Sequence, residues 1–340
     1  MKKFFFMLAL TFVILFIVNI SWLIANLYLW STEGIIAVTG EENDGLFEDI
    51  YYSEYVRWII WADLGWIVSL LIFIFRSKHY KTDPALHYLQ FDDISNPKMC
   101  VAIPSYNEEQ TIGQVVTDYK NQKFVESVIV IDNNSSDNTV EIAKQHGATV
   151  IKKNENKGFS HSFVLGLKKS LKTDANIVVV TEADGTYSGG DLSKLLPYLE
   201  NSDMVSGSRQ TQILTEKGNQ NSRFLVWGNL FLAKLIQLKH FSQDHLSVVN
   251  LTDVGCVFMI IKRDALLKII EQLSKIDTEK LTWDVSMRLY TTLLVIENDL
   301  RLIEVPVTFK KRIGKSKIGT GKNLRTIKMG LIFLWVILRS

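Results

Sequence analysis

From residue 99 onward the chain keeps one rhythm, and that rhythm restricts its fold more than any other feature. Residues 99–103, 127–131, 149–151 and 177–181 are short apolar runs rich in β-branched side chains. Each of the first three is followed by a stretch of helical spacing, at residues 111–119, 138–146 and 159–171. Strands buried on both faces read as continuous apolar runs, and parallel neighbours need a crossover that a helix can supply. The expected product is an α/β domain with a mostly parallel sheet flanked by helices. Ligands in such sheets bind outside the carboxyl ends of the strands, so the residues just after each run are the ones to read for function.

Those residues are Pro104, Ser105, Tyr106, Asn107 and Glu108 after the first run, and Asp132 to Asp137 after the second. After the fourth come Glu182, Ala183, Asp184 and Gly185. Each group has a plain structural explanation: Asn107 and Asp137 both stand where a side-chain oxygen would cap the next helix. Taken together, carboxylates and amides after three strands converge on one edge of the sheet. Glu182 and Asp184 alternate at a strand end, and Gly185 lets the backbone turn tightly after them. Mg²⁺ and Mn²⁺ are hard ions held by one or two carboxylates, substrate phosphate oxygens and water. The pair therefore suits a metal that bridges a diphosphate, although a lone E-x-D is common by chance.

The front of the chain obeys different physics. Residues 4–30 form a nearly uncharged apolar run and residues 58–75 a second, marred only by Asp63. Either is long enough to cross a bilayer core of about 30 Å as a helix. A cleaved signal peptide fits the first run poorly, because its apolar stretch continues into bulky Leu27, Tyr28, Leu29 and Trp30. Between the runs lie Glu33, Glu41, Glu42, Asp44, Glu48, Asp49 and Glu54 with no Lys or Arg until Arg57, beside the second run. Lys2, Lys3, Arg76, Lys78 and Lys81 flank the outer ends. The positive-inside rule then gives a transmembrane hairpin over residues 1–78 in the cell membrane, with its acidic loop outside and everything after Arg76 cytoplasmic. Asp63 is costly in a membrane helix, a cost relieved near the helix end or facing the other helix.

Residues 79–98, with Pro84 and Pro97, read as a linker, and residues 99–320 as the catalytic domain. Residues 321–340 read as a membrane-proximal helix: Lys322, Arg325 and Lys328 precede an apolar run at 329–338 too short to span a bilayer. A net charge of +2 leaves no domain-wide basic excess, which excludes a nucleic-acid binder. Cys100 and Cys256 sit in apolar runs without metal-ligand spacing, so buried thiols are expected.

The ordered motifs resemble those of family 2 glycosyltransferases of GT-A fold, in the branch of dolichol-phosphate mannose synthase and the polyprenyl-phosphate sugar transferases. The matching stretches are residues 101–108, 130–139, 156–158, 182–187, 207–209, 252–256, 304–307 and 312–317. The resemblance implies an inverting transfer of a hexosyl group from a nucleotide-diphosphate sugar to a polyprenyl phosphate, with Mg²⁺ or Mn²⁺. Pro104, Tyr106, Glu108 and Asp132 match positions that hold base and ribose. Asn107, Asp137, Lys157 and Ala183 lie in the same donor-binding stretches. Asp184 matches the metal-binding aspartate, and Glu182 the first acid of the usual D-x-D. Arg209 and Arg223 fall near arginines that meet the acceptor phosphate, while Arg312 and Lys317 match a basic loop closing over the diphosphate.

Four positions depart from the pattern. Asn133 stands where a second aspartate is common, Glu182 replaces an aspartate, Thr186 replaces a metal-ligating glutamine, and Trp227 occupies the place of an acceptor-binding serine. If the acceptor is a lipid phosphate, its ionised oxygen needs no strong base; an alcohol would need a carboxylate such as Asp253. A phosphate acceptor is favoured because Arg209 and Arg223, if buried, would otherwise lack counter-charge. Processive synthases that act on a neutral glycolipid or growing polysaccharide share the front half, but Gln220 to Phe224 precede Asp253 here, and no translocating bundle follows. The P-loop-like residues 314–320 lack the closing Lys-Ser/Thr and the strand context. An inactive membrane-tethered scaffold of the same fold is the alternative outside enzymes. Sugar, base and oligomeric state, a homo-oligomer included, are not encoded legibly.

Overall fold

The alternation expected after residue 99 is present in the computed structural model, which describes residues 91–241, 248–276, 286–313 and 323–340, with residues 17, 21, 64, 65, 67 and 68. The hairpin at 1–78, residues 79–90 of the linker, and Lys317 therefore lie outside the described residues, apart from those six positions. Two compact units are distinguished, Met1–His79 with Arg339 and Tyr80–Leu338 with Ser340. Among the described residues no helix is long and apolar enough to cross a membrane.

In chain order the second unit contains β1 (Met99–Ser105), α1 (Ile112–Lys120), β2 (Val125–Asp132), α2 (Thr139–Gln145), β3 (Thr149–Lys152), α3 (Gly158–Ser170) and β4 (Ile177–Val180). There follow α4 (Leu192–Leu195), β5 (Met204–Ser208), α5 (Arg223–Lys239), β6 (Met259–Lys262), α6 (Arg263–Ser274), α7 (Ser286–Glu297), β7 (Leu302–Pro306) and α8 (Asn323–Arg339). The strands form one sheet in the order β3-β2-β1-β4-β6-β5-β7. β6 runs antiparallel to β4 and β5, and every other pairing is parallel.

Period-two alternation decides which face each strand residue serves. Met99, Val101 and Ile103 of β1 join Ile177 and Val179 of β4 and Ile260 of β6 on one face. Val178, Val180, Met259 and Ile261 point to the other. Both faces are covered, which is why the runs are apolar throughout. On the first face α1 sets Ile112, Val115, Val116 and Tyr119 against the sheet, the i, i+3, i+4, i+7 spacing of one helical stripe. On the second, α3 contributes Phe163, Val164 and Leu167, and α6 contributes Leu266, Ile269, Ile270 and Leu273. Each large apolar side chain so buried is worth about 1.5–3 kcal/mol.

A third cluster joins α5, α7 and α8 through Leu232, Leu235 and Ile236, Leu289 and Leu293, and Phe333, Val336 and Ile337. The Lys239 ammonium donates to the Ile337 carbonyl at 2.6 Å and to the Ser340 hydroxyl at 2.9 Å, placing positive charge at the carboxyl end of α8, where the helix dipole favours it. The apolar 329–338 run is thus a packed helix of the domain.

Candidate active site

The loops after β1 and β2 are stitched into one floor. Asn107 and Asn134 adopt left-handed backbone, φ 51° and 65°, which asparagine tolerates better than most residues. In that geometry the Asn107 N–H donates to Ser135 Oγ at 2.9 Å, and its side-chain oxygen accepts from the Ser136 N–H at 2.9 Å. Glu108 N–H donates to Thr139 Oγ1 at 2.8 Å, and Asp137 accepts from the backbone N–H of Glu109 and Thr139. Asn107 and Asp137 therefore hold the floor together. Neither serves as the cap of its own helix: the N-cap positions of α1 and α2 are Thr111 and Asn138, and neither makes a side-chain cap bond.

Above that floor lies a cavity of about 270 Å³ at the carboxyl ends of β1, β2 and β4. Pro104, Tyr106, Glu108, Glu182, Ala183, Asp184 and Arg312 line it together with Asn133, Asn156, Phe159 and Ser162. Gly185 takes φ +75°, so the chain turns at once after the acidic pair. The Thr186 hydroxyl and N–H both donate to Asp184 Oδ1, at 2.6 and 3.1 Å, which aims Oδ2 outward. There Arg312 Nη1 sits 3.1 Å from Asp184 Oδ2, and its Nη2 donates to Glu108 Oε1 at 2.9 Å. Glu182 is pushed up to about 8, first by burial and then by the Asp184 carboxylate; Arg209 and Arg312 pull the other way. A pair of carboxylates that repel one another, with one oxygen already oriented, is the donor set a hard divalent ion requires, and it fits Mg²⁺ or Mn²⁺. Among the described residues no larger group of acids, histidines or cysteines converges, so phosphate oxygens and water would complete the shell.

Asp253 lies fully buried and forms a two-pronged pair with Arg209. Arg209 Nε donates to Oδ2 and Nη2 to Oδ1, each at 2.8 Å, while the Arg209 and Gly255 N–H groups add bonds at 3.0 and 3.1 Å. Burial alone would raise the Asp253 pKa, but Arg209 overrides it and holds the carboxyl below its ordinary range. The expectation that a buried Arg209 lacks counter-charge is therefore corrected: Asp253 supplies it. A carboxylate that accepts four bonds and is held ionised is a weak base, so the geometry makes Asp253 the orienter of Arg209.

The remaining expected residues separate by place. Asp132 is buried beneath the floor, where Oδ2 accepts from the Ser135 N–H at 3.1 Å and Oδ1 has no partner among the described residues. Lys157 pairs with Glu155 at 2.8 Å, and its N–H donates to Asn133 Oδ1. Arg223 is the exposed first residue of α5. Sequence reading missed Phe159, Ser162 and Lys153. Phe159 and Ser162 share the first turn of α3 at an i,i+3 spacing. The buried Lys153, just past β3, donates to Asn133 Oδ1 and to Ser162 Oγ. Glu304 stood in a matching stretch without an assigned role; its carboxylate accepts from the Thr252 and Asp253 N–H groups.

Fold and cavity define the class: an α/β domain of GT-A type, with a pocket lined by Glu108, Glu182, Asp184 and Arg312 at the carboxyl edge of its sheet. The glycosyl transferase family 2 model matches residues 100–270, half of the chain, and the chain belongs to that family. It is 33% identical over 122 residues to an uncharacterized protein of Methanocaldococcus jannaschii, a stretch covering 35% of this chain and 50% of that one. It is 25% identical over 255 residues to the undecaprenyl-phosphate mannosyltransferase of Micrococcus luteus, covering 72% of this chain and 98% of that one. Among solved structures, glucosyl-3-phosphoglycerate synthase from Mycobacterium tuberculosis with Mn²⁺, UDP-glucose and phosphoglyceric acid superposes with a TM-score of 0.50 at 15% identity. That match covers 72% of this chain and 80% of the other, and it is a likeness of fold.

Proposed function

We propose that this family 2 glycosyltransferase moves a hexosyl group from a nucleotide-diphosphate sugar to a polyprenyl phosphate, at the cytoplasmic face of the cell membrane. The carrying observation is the cavity's charge pattern: Glu182 and Asp184 line it together with the Arg312 guanidinium, which is in ion-pair contact with Asp184 at 3.1 Å. That pattern suits a diphosphate whose oxygens are shared between a divalent ion and a fixed cation. The name of the Micrococcus luteus relative supports the acceptor class.

In the reaction an ionised phosphate oxygen of the lipid attacks the anomeric carbon from the face opposite the diphosphate. The bond from that carbon to the diphosphate oxygen breaks, the nucleoside diphosphate leaves with the electron pair, and the configuration inverts. A divalent ion at Asp184 and Glu182, when bound, would stabilise the charge developing on the leaving oxygens. Arg312 adds fixed positive charge, and Thr186 keeps Asp184 in one orientation. The acceptor phosphate's second pKa, near 6, leaves it ionised at neutral pH, so no base need take a proton. This agrees with the four bonds that occupy Asp253.

The membrane reading has support in the described helices as well as in the apolar runs at 4–30 and 58–75. Phe224, Trp227 and Phe231 on α5, and Ile327, Leu331 and Trp335 on α8, are large apolar side chains that stay exposed. The experiment that tests the function is a screen of the purified full chain with Mn²⁺, UDP-, GDP- and dTDP-sugars, and undecaprenyl phosphate. Product bearing one sugar on the lipid phosphate is expected. Faster transfer to an uncharged polyprenol or glycolipid would refute the acceptor, and absence of both transfer and donor hydrolysis would refute the enzyme.

A further inference from the structure

The Arg209–Asp253 pair is itself held from behind by a residue that touches neither the cavity nor Arg209. Glu304 lies on the edge strand β7 and is 7% exposed. Its Oε2 accepts from the Thr252 N–H at 2.7 Å and from the Thr252 hydroxyl at 2.5 Å, and its Oε1 accepts from the Asp253 N–H at 2.8 Å. Three donors from two consecutive residues thus converge on one carboxylate, and the second of those residues carries the fork that grips Arg209.

The surroundings leave that fork little freedom. The Arg209 guanidinium lies 5.3 Å from the Phe309 ring centroid, and a Cβ on Gly255 would come within 2.9 Å of Nη2. Arg209 Nε and Nη2 are both committed to Asp253, and the side chain keeps 16% exposure. The Arg209 charge acts on the carboxyl of Glu182, a residue of the cavity lining. Behind Glu304 the charges continue. The fully buried Arg288 donates to the Cys256 carbonyl at 2.8 Å and to Ser206 Oγ, and Ser206 is paired with Glu304 across β5 and β7.

We infer that Glu304 is a positioning residue for acceptor recognition: its carboxylate fixes the Thr252–Asp253 turn, and the turn aims Arg209 at the acceptor's phosphate. The inference rests on the proposed reading that an anionic lipid head meets Arg209. A guanidinium binds phosphate well only when its planar face is held at the correct angle. Three short bonds onto the turn set that angle from a strand on the far side of Asp253.

A double-mutant cycle on the full-length protein in detergent tests this, with affinity for undecaprenyl phosphate as one readout and affinity for UDP and GDP with Mn²⁺ as the other. Glu304→Gln keeps the side chain's size but turns an amide N–H toward one of the three donors. It is expected to weaken undecaprenyl phosphate binding about tenfold, the scale of one or two lost buried hydrogen bonds, and to leave nucleotide affinity within about twofold. In an Arg209→Ala background the same change should have no further effect on lipid binding, because Glu304 acts through Arg209. Thr252→Val removes the hydroxyl that bonds Glu304 Oε2 and Ser208 Oγ but keeps the carboxylate and both backbone bonds to it, so it serves if the Gln variant fails to fold; a loss of about threefold on the lipid side alone is expected. Equal weakening of lipid and nucleotide, or losses that add independently in the double variant, would reduce Glu304 to a structural role and overturn the inference. If Arg209→Ala binds undecaprenyl phosphate normally, the acceptor reading at Arg209 falls, and the role of Glu304 falls with it. Glu304 variants that bind the lipid normally, beside an impaired Arg209→Ala, would sink the inference alone.

Discussion

Glu182 and Asp184 lie in the loop and turn just past β4, and the Asp184 charge acts on the Glu182 carboxyl. With Asp184 fixed by Thr186 and paired to Arg312, the proton falls to Glu182, whose pKa rises to about 8. A raised acid is neutral below its pKa and must lose its proton to become a metal ligand. Mn²⁺ affinity should therefore climb with pH between 6 and 8, by up to about tenfold per unit, and flatten above. Isothermal titration of Mn²⁺ into the protein across that range checks this. Glu182→Gln should remove most of the slope, while Asp184→Asn should abolish both Mn²⁺ binding and turnover with little change in melting temperature. A pH-independent affinity in the wild type would overturn the assignment of Glu182. The position of Thr186 was readable as a departure from the family pattern. Its consequence was not, because only the folded turn shows that its hydroxyl is spent on Asp184.

At the scale of elements, α5 has two apolar faces and needs only one. Leu232, Ala233, Leu235 and Ile236 pack inward, while Phe224, Trp227 and Phe231 recur at the i, i+3, i+7 spacing of a second stripe. Trp227 is 72% and Phe224 53% exposed, large areas to leave in water on a stable helix. α8 repeats the arrangement, with Phe333, Val336 and Ile337 inward and Ile327, Leu331 and Trp335 outward. On the proposed reading these stripes rest in the bilayer interface, with Arg223 at the headgroup end of α5. Replacing both Phe224 and Trp227 by Ser should leave the melting temperature unchanged within about 2 °C, since exposed side chains contribute little to folding. The same variant should raise the apparent KM for undecaprenyl phosphate in vesicles about tenfold, and that for a short water-soluble prenyl phosphate far less. Equal effects on both acceptors would mean that the stripe does not serve the membrane. The sequence offers α5 as a run without marking which apolar face is buried, because burial depends on what α7 and α8 bring against it.

For the whole molecule, the proposed topology follows from the positive-inside rule applied to the Lys and Arg around residues 4–30 and 58–75: the catalytic domain and the acidic loop are expected on opposite sides of the membrane. A cysteine introduced at Gly40 should react with an impermeant thiol reagent in intact cells, whereas one introduced at Asn154 should react only after permeabilisation. The reverse pattern would invert the topology and remove the nucleotide-sugar pool from reach of the cavity. The sheet shows why the site extends beyond the residues that follow strands. β6 runs against its neighbours, so the chain reaches the carboxyl edge just before β6 begins, and the Thr252–Cys256 turn enters the site from that side. A rule that inspects only residues after strands passes over Asp253 for that reason.

What the sequence determined was whatever depends on local period and on chemical type. Continuous β-branched runs could be satisfied only by strands covered on both faces, and the acids and amides after them could reach only the edge where those strands end. Pro104, Tyr106, Glu108, Glu182, Asp184 and Arg312 meet around one cavity as the ordered motifs implied. The tertiary structure decided the division of labour among charges. Arg209 is neutralised by Asp253, Asp253 is held by Glu304, and Arg312 rests on Glu108 and Asp184, in pairings that span 44, 51, 204 and 128 residues of chain. Sequence spacing says which groups carry charge, but pairing depends on distances of a few ångströms across elements far apart in the chain, and those are fixed only when the sheet, with its one reversed strand, has closed.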